Sequence, residues 1–190
     1  GGDAPAALGL PPESGQGREH AGGVLYVDPR LAELGARAIL PAAEASAALT
    51  DLGLSAAADG DYDRYRLAQG VPDGSRDLEV EKTLLMEAQF EALHGVDFAK
   101  GCYVGQELTA RTKYRGLLKR RLYRVEGDAP LPPPGTLIMA GDKEAGVMRT
   151  SQGRAGLAFL RIDQAAAAEA SGEPLLAGAV RVRAVTPAWA

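Results

Sequence analysis

The run Pro130-Leu131-Pro132-Pro133-Pro134-Gly135 cannot lie inside a helix or a central strand, because each proline lacks an amide hydrogen and has a fixed φ. It is therefore a loop, and it constrains its surroundings. Before it, residues 121–125 alternate as a strand does. After it, residues 136–140, 144–150, 156–160 and 179–185 read as four short strands separated by glycine-containing turns. Residues 163–170 read as a brief helix among them. Short strands at this spacing predict a small β-barrel or sandwich over residues 119–190.

Upstream the pattern changes. Residues 1–23 are rich in Gly, Pro and Ala and read as a flexible arm. The chain starts on Gly rather than Met, as a fragment or a processed product would. Val24-Leu25-Tyr26-Val27 is a β-favouring run stopped by Asp28-Pro29. Residues 31–40 form a short element broken at Gly35, and residues 41–48 a helix with Pro41 in its first turn. Tyr62, Tyr65 and Leu67 share one helical face, with both tyrosines expected toward the core. A turn follows at Gly70-Val71-Pro72-Asp73-Gly74. Residues 78–93, with Leu84, Leu85, Ala88 and Ala92 at helical spacing and Gly95 as the cap, predict a helix, with an extended conformation for part of the stretch as the alternative. Residues 105–114 predict another, ended by Gly116. The α+β organisation is thus an arm, a mixed domain over 24–118 and a β domain over 119–190.

A single cysteine excludes an internal disulfide framework and a CxxC…CxxC zinc site. It also excludes an iron–sulfur cluster held by this chain's thiolates alone, since such clusters take about four. With His20 and His94 far apart, no stably bound metal is expected. No apolar run approaches the ~20 residues of a membrane span, so no membrane partner is expected. The free thiol points to a reducing compartment, and the expected location is cytoplasmic. No GxSxG, Walker A, GxGxxG or HExxH pattern occurs.

Charge is distributed unevenly. Between Lys100 and Arg124 lie eight basic residues and one acid, Glu107, so this segment is +7 inside a chain of −4. The total charge gives no reason to expect a direct nucleic-acid partner. The cysteine, Cys102, stands at the start of the basic run, in Lys100-Gly101-Cys102-Tyr103-Val104-Gly105-Gln106-Glu107. Gly101 and Gly105 remove side-chain bulk around it. The helix predicted just after it would turn unpaired N–H groups toward the sulfur. Lys100 and Arg111 add positive charge, and all three features favour the reactive thiolate. The residues alone leave open a buried structural cysteine. Glu107 and Arg111, four apart, read either as a surface pair or as an anion-binding arginine oriented by a carboxylate.

That eight-residue stretch resembles the signature of the YgfZ-type folate-binding proteins, relatives of the glycine-cleavage T protein, an aminomethyltransferase. The resemblance extends to Asp28-Pro29-Arg30-Leu31 with Leu34-Gly35, to Tyr65-Arg66-Leu67 with Gly70-Val71-Pro72 and Asp77-Leu78, and to Glu87-Ala88 and Gly95-Val96-Asp97-Phe98. Arg111 and Arg115-Gly116 follow in register, and Gly146 and Gly156-Leu157-Ala158 resemble the C-terminal barrel of those proteins. Members of that family carry a further portion ahead of the stretch matching Asp28-Pro29-Arg30-Leu31, which supplies much of the folate cavity.

The resemblance implies the C-terminal part of a T-protein-like domain followed by a small β-barrel. It implies tetrahydrofolate, or a derivative, as ligand, and iron–sulfur assembly or client proteins as partners, including methylthiotransferases that modify tRNA. On this reading Cys102 is the reactive thiol and Lys100 its electrostatic partner. Gly101, Tyr103, Gly105, Gln106, Glu107 and Arg111 support them, and Arg66 and Glu87 line the folate cavity. Two other readings remain open: a folate-dependent aminomethyl or one-carbon transferase, and a module binding RNA or protein through its basic surface.

Overall fold

A computed structural model describes residues 3–116 and 118–190. The chain divides into two compact units, Gly1–Tyr65 and Arg66–Ala190.

The first unit contains α1 (Ala4–Ala7), β1 (Gly17–His20), β2 (Gly23–Val27), β3 (Ala36–Ile39) and α2 (Ala42–Asp51). The strands form an antiparallel sheet in the order β1-β2-β3, with Leu25 facing Arg18 on one side and Ala38 on the other. Along β2 the buried positions are Leu25 and Val27, two apart as a one-sided sheet requires. They pack with Leu8 and Leu10. Residues 3–23 are therefore not the arm the composition predicts. Leu8 and Leu10 supply half of this small core, and β1 supplies the outer strand. Gly, Pro and Ala content hides two leucines that suffice to anchor the segment.

The Asp28-Pro29-Arg30 stretch closes β2 with an ion-pair cluster. Asp28, almost fully buried, accepts hydrogen bonds from the backbone N and Nε of Arg30, from its terminal guanidinium nitrogen at 2.8 Å, and from Arg37 Nε at 2.6 Å. Burial pushes the carboxyl up, but the Arg30 and Arg37 hydrogen bonds outweigh it and hold Asp28 below its ordinary value. α3 (Asp61–Ala68) places Tyr62 in solvent rather than toward the core, within hydrogen-bond reach of Arg30, while the Tyr65 hydroxyl donates to the Glu33 carbonyl.

The second unit contains α4 (Gly74–Asp77), α5 (Gln106–Tyr114) and β4 (Arg120–Gly127), then β5 (Leu137–Ala140), β6 (Lys143–Gln152) and β7 (Ala155–Arg161). It ends with α6 (Ile162–Ser171), β8 (Leu175–Ala177) and β9 (Val180–Val185). The strands close into an antiparallel barrel in the order β4-β7-β6-β5-β8-β9, with β9 returning to β4. The proline run is the connection from β4 to β5, as its chemistry demands. Of these strands, the three-residue β8 is too short to stand out from the sequence.

The barrel has apolar contacts on both sides of its wall. Val125, Ile138, Met148, Ala158 and Leu160 belong to one core, while Leu122, Leu157 and Phe159 belong to another with Leu67. Alternate residues of β7 feed these two cores, so Gly156 through Leu160 are all buried. Each fully buried Leu, Met or Phe here contributes roughly 1.5–3 kcal/mol of transfer free energy.

A buried clasp joins the Gly70-Val71-Pro72 turn to the barrel. Arg66 and Asp77 are 1% and 0% exposed and pair at 2.8 Å. The same Arg66 nitrogen donates to the Val71 carbonyl, and Asp77 also accepts the Asp73 amide. A register shift in β6 between Met148 and Ser151 frees the Thr150 amide, which donates to the other Asp77 oxygen at 2.8 Å. The tail closes over the same turn, the Trp189 indole donating to the Gln69 carbonyl at 2.7 Å.

Residues 78–95 do not form the predicted helix. They run as successive turns, with Glu81, Gln89 and His94 at positive φ. The reason lies in the barrel. The Glu87 carbonyl accepts the Leu122 amide at 2.8 Å, and the Gln89 side-chain amide donates to the Leu122 carbonyl at 3.0 Å. Of the apolar positions at helical spacing only Ala88 is fully buried, and Leu85 stands in solvent.

Candidate functional site

Cys102 is exposed, on a loop between Phe98 and the first turn of α5. The open question of a buried structural cysteine is thereby resolved in favour of an accessible sulfur. Gly101 and Gly105 have φ of +89° and +87°, and a Cβ built on either would meet nothing within 4 Å. Their role is therefore backbone handedness and not close approach by a neighbour: two left-handed residues turn the chain out and back around Cys102 and Val104. Gly105 is also the residue that opens α5.

Two contacts fix this loop locally. The Lys100 ammonium lies 4.5 Å from the centroid of the Tyr103 ring. Gln106 Oε1 accepts the Tyr103 amide at 3.1 Å, while the Gln106 amide donates back to the Tyr103 carbonyl. Tyr103 and Gln106 thus brace each other across the turn, and Lys100 is held on the aromatic face. Among the described residues no ion pair or hydrogen bond joins Lys100 to the sulfur. The side chains around Cys102 leave Val104 fully exposed and Leu108 more than half exposed.

Glu107 and Arg111 form the expected i, i+4 ion pair on α5, with half or more of each side chain in solvent. Such a pair contributes about 0.3–0.5 kcal/mol. The rest of the basic run is partly spent on architecture. Lys113 pairs with Glu91, Arg120 with Glu87 and Arg124 with Glu126. Lys100, Arg115, Lys119 and Arg121 have no ion-pair partner among the described residues, so about half of the eight cations remain to act on a partner.

Arg66 and Glu87 lie elsewhere. Arg66 is locked in the buried clasp with Asp77. Glu87 accepts the Leu84 amide and Arg120 Nε, the latter at 2.8 Å, and that hydrogen bond holds the Arg120 guanidinium above its ordinary value. Arg120 and Arg149 each stand 5.3 Å from the centroid of the buried Phe159 ring, and Arg149 also pairs with Glu79. This arrangement is a pillar between the turns of 78–95 and the barrel wall. Sequence reasoning missed the pillar and the Asp77 clasp. The only signals were the two acids flanking Leu78, Asp77 and Glu79, and two arginines on strands, none of which names its partner.

Next to the loop, residues 91–99 frame a cavity of about 520 Å³ lined by Glu91, His94, Val96, Asp97, Phe98 and Ala99. Among the described residues no group of three or more His, Cys, Asp and Glu side chains could hold a metal ion. The chemistry the site offers is one accessible thiol able to give one ligand or one nucleophile, beside unspent cations and exposed apolar side chains.

Residues 119–190 match the family described as the C-terminal beta-barrel domain of CAF17. The chain is 40% identical over 154 residues to a Homo sapiens protein named "Iron-sulfur cluster assembly factor IBA57, mitochondrial", a match covering 76% of this chain and 41% of that protein. The Mus musculus protein of the same name is 40% identical over 148 residues, covering 73% of this chain and 39% of its own length. A Mycosarcoma maydis homologue is 41% identical over 118 residues, covering 60% of this chain and 28% of that protein. The chain therefore spans about two fifths of the length of its mammalian relatives. A crystal structure of the glycine cleavage system aminomethyltransferase T from Bartonella henselae superposes with a TM-score of 0.68 at 15% identity, covering all of this chain and 56% of that one. At that identity the likeness establishes fold.

The expected cytoplasmic location is overturned, because these relatives are named mitochondrial proteins. A reducing compartment is a wider class than the cytosol, and one free thiol does not distinguish its members. The chain has the aminomethyltransferase T fold, matches the CAF17 C-terminal β-barrel family over residues 119–190, and is similar over three quarters of its length to proteins named IBA57 iron–sulfur cluster assembly factors.

Proposed function

We propose that this chain is the cysteine-bearing part of a mitochondrial iron–sulfur cluster assembly factor, and that Cys102 supplies a transient ligand to a cluster passing between other proteins. The observation that carries the reading is the exposure of the chain's sole thiol on a loop turned outward by Gly101 and Gly105. Similarity to IBA57 proteins supports the process, and the sulfur's accessibility supports the role. A cluster takes about four ligands, so one sulfur acts with a partner that brings the rest. The cluster is cargo here. It arrives with a partner and leaves toward a client enzyme, with methylthiotransferases that modify tRNA among the proposed clients. Lys100, Tyr103 and Gln106 hold the loop's shape, and Arg115, Lys119 and Arg121 offer charge to an acidic partner surface.

Tetrahydrofolate belongs to the proposal as a ligand of a whole-length protein. The side chains nominated for it here do not fit that task, because Arg66 and Glu87 are engaged by Asp77 and Arg120.

The test is rescue. Cells lacking their own IBA57-type factor receive the protein with Cys102 intact or as Cys102→Ala, and iron–sulfur enzyme activity is measured against an enzyme that carries no cluster. The expected outcome is rescue by the former and activity at the unrescued level for the latter. Equal rescue removes the thiol from the mechanism.

A further inference from the structure

The loop carrying Cys102 has no strand or helix of its own, yet both of its ends are tied to one side chain. Lys113, on the last turn of α5, pairs with Glu91. Its ammonium also lies 4.1 Å from the centroid of the Phe98 ring and 6.0 Å from that of Tyr114. Phe98 and Tyr114 meet edge to face, with centroids 6.1 Å apart and ring planes at 72°. Phe98 is where the chain enters the loop, and α5 is where it leaves. Thr112, the neighbouring buried position, donates its hydroxyl back to the Leu108 carbonyl and presents no competing contact.

We propose that Lys113 is a positioning residue for Cys102. It sets the loop's two ends against each other through Phe98, Tyr114 and Glu91. This rests on the functional reading above for the role of the sulfur, and on the geometry alone for the role of the lysine. A cation is needed at this point because it satisfies two partners of different kind at once, a carboxylate and the negative face of an aromatic ring. The side chain is about one-third exposed, so water weakens the ion pair and leaves the ring contact to carry more of the restraint.

The test measures the loop directly, by hydrogen exchange at the amides of residues 99–106. Lys113→Met keeps the chain length and loses the charge. It is expected to speed exchange there about five-fold, the ratio that matches loss of one contact of this type. Exchange in the barrel strands is expected to stay unchanged. Phe98→Leu should produce the same local change, and the double variant little more, because both break one assembly. Lys113→Arg should restore wild-type exchange, since a guanidinium meets both partners. Unchanged loop exchange in both single variants would overturn the proposal, as would failure of Lys113→Arg to rescue. If Lys113→Met does not fold, Glu91→Gln and Lys113→Arg carry the same test. Exchange and rescue of iron–sulfur enzymes then separate the two claims. Full enzyme rescue by Cys102→Ala beside a loosened loop in Lys113→Met defeats the functional reading and leaves the restraint of the loop by Lys113 standing. An unchanged loop beside a defective Cys102→Ala defeats the positioning role alone.

Discussion

Strand β7 lies in the barrel wall and the turns of residues 78–95 meet that wall at Leu78, but their backbones are satisfied in different ways. β7 has a ladder on each side, with β4 and β6, and places residues in two cores. Residues 78–95 have local turn hydrogen bonds and a few specific attachments: Glu87 and Gln89 to Leu122, Glu87 to Arg120, and Glu79 to Arg149. The barrel is held by many equivalent contacts, and the segment leading to Cys102 by a handful of individual ones. Order of the first kind resists single changes outside the core. Order of the second kind can be released one contact at a time, and it lies beside the loop that carries the thiol.

Substitutions sharpen the contrast. The largest effect is expected from Phe159→Ala, which opens the core and removes the ring beneath Arg120 and Arg149; about 4 kcal/mol should be lost in chemical denaturation, with a global transition. Asp77→Ala is expected to cost about 3 kcal/mol, because it leaves Arg66 buried without its carboxylate and strips the Thr150 amide of its acceptor. Glu87→Ala should cost about 2 kcal/mol, and it should also raise hydrogen exchange through residues 79–95 before any barrel amide responds. A global transition with no earlier local release would erase the distinction between the two regions.

The smallest effect at neutral pH belongs to the first unit. The Asp28 carboxyl lies below its ordinary value, so its stabilisation is fully present above about pH 4, where the unfolded carboxyl is ionised. That stabilisation is lost as pH falls through the lower folded value. Acid titration followed at Leu25 and Val27 should show their environment loosening in that range. Asp28→Asn should flatten the response, and an unchanged acid profile would mean that the Arg30 and Arg37 pairs contribute nothing.

The same contrast explains what could be read from residue order. β4 announces itself by alternation, β5, β6, β7 and β9 by short runs between glycine-containing turns after the proline run, and α5 by Gly105 and Gly116, because each signal is local. The residues around Cys102 left a buried and an accessible sulfur equally open, and only the fold shows it exposed. Residues 78–93 were misleading because Leu84, Leu85 and Ala88 keep helical spacing while Glu87 and Gln89 bond to Leu122, more than thirty positions away. Arg66 and Glu87 looked like lining residues because nothing nearby in sequence shows that Asp77 and Arg120 occupy them. The arm over 1–23 looked unstructured because Leu8 and Leu10 have no periodic companions, only partners on β2. Polar pairs formed across long sequence separations leave no pattern, whereas alternation and turn chemistry do.

The most direct measurement concerns the sulfur itself. The folded protein is treated with a neutral alkylating reagent, and Cys102 labelling is followed by mass spectrometry alone, with an assembly partner lacking its cluster, and with the same partner carrying one. If the sulfur serves as a ligand, labelling should be rapid in the first two conditions and strongly suppressed in the third. Labelling that proceeds equally in all three would contradict it.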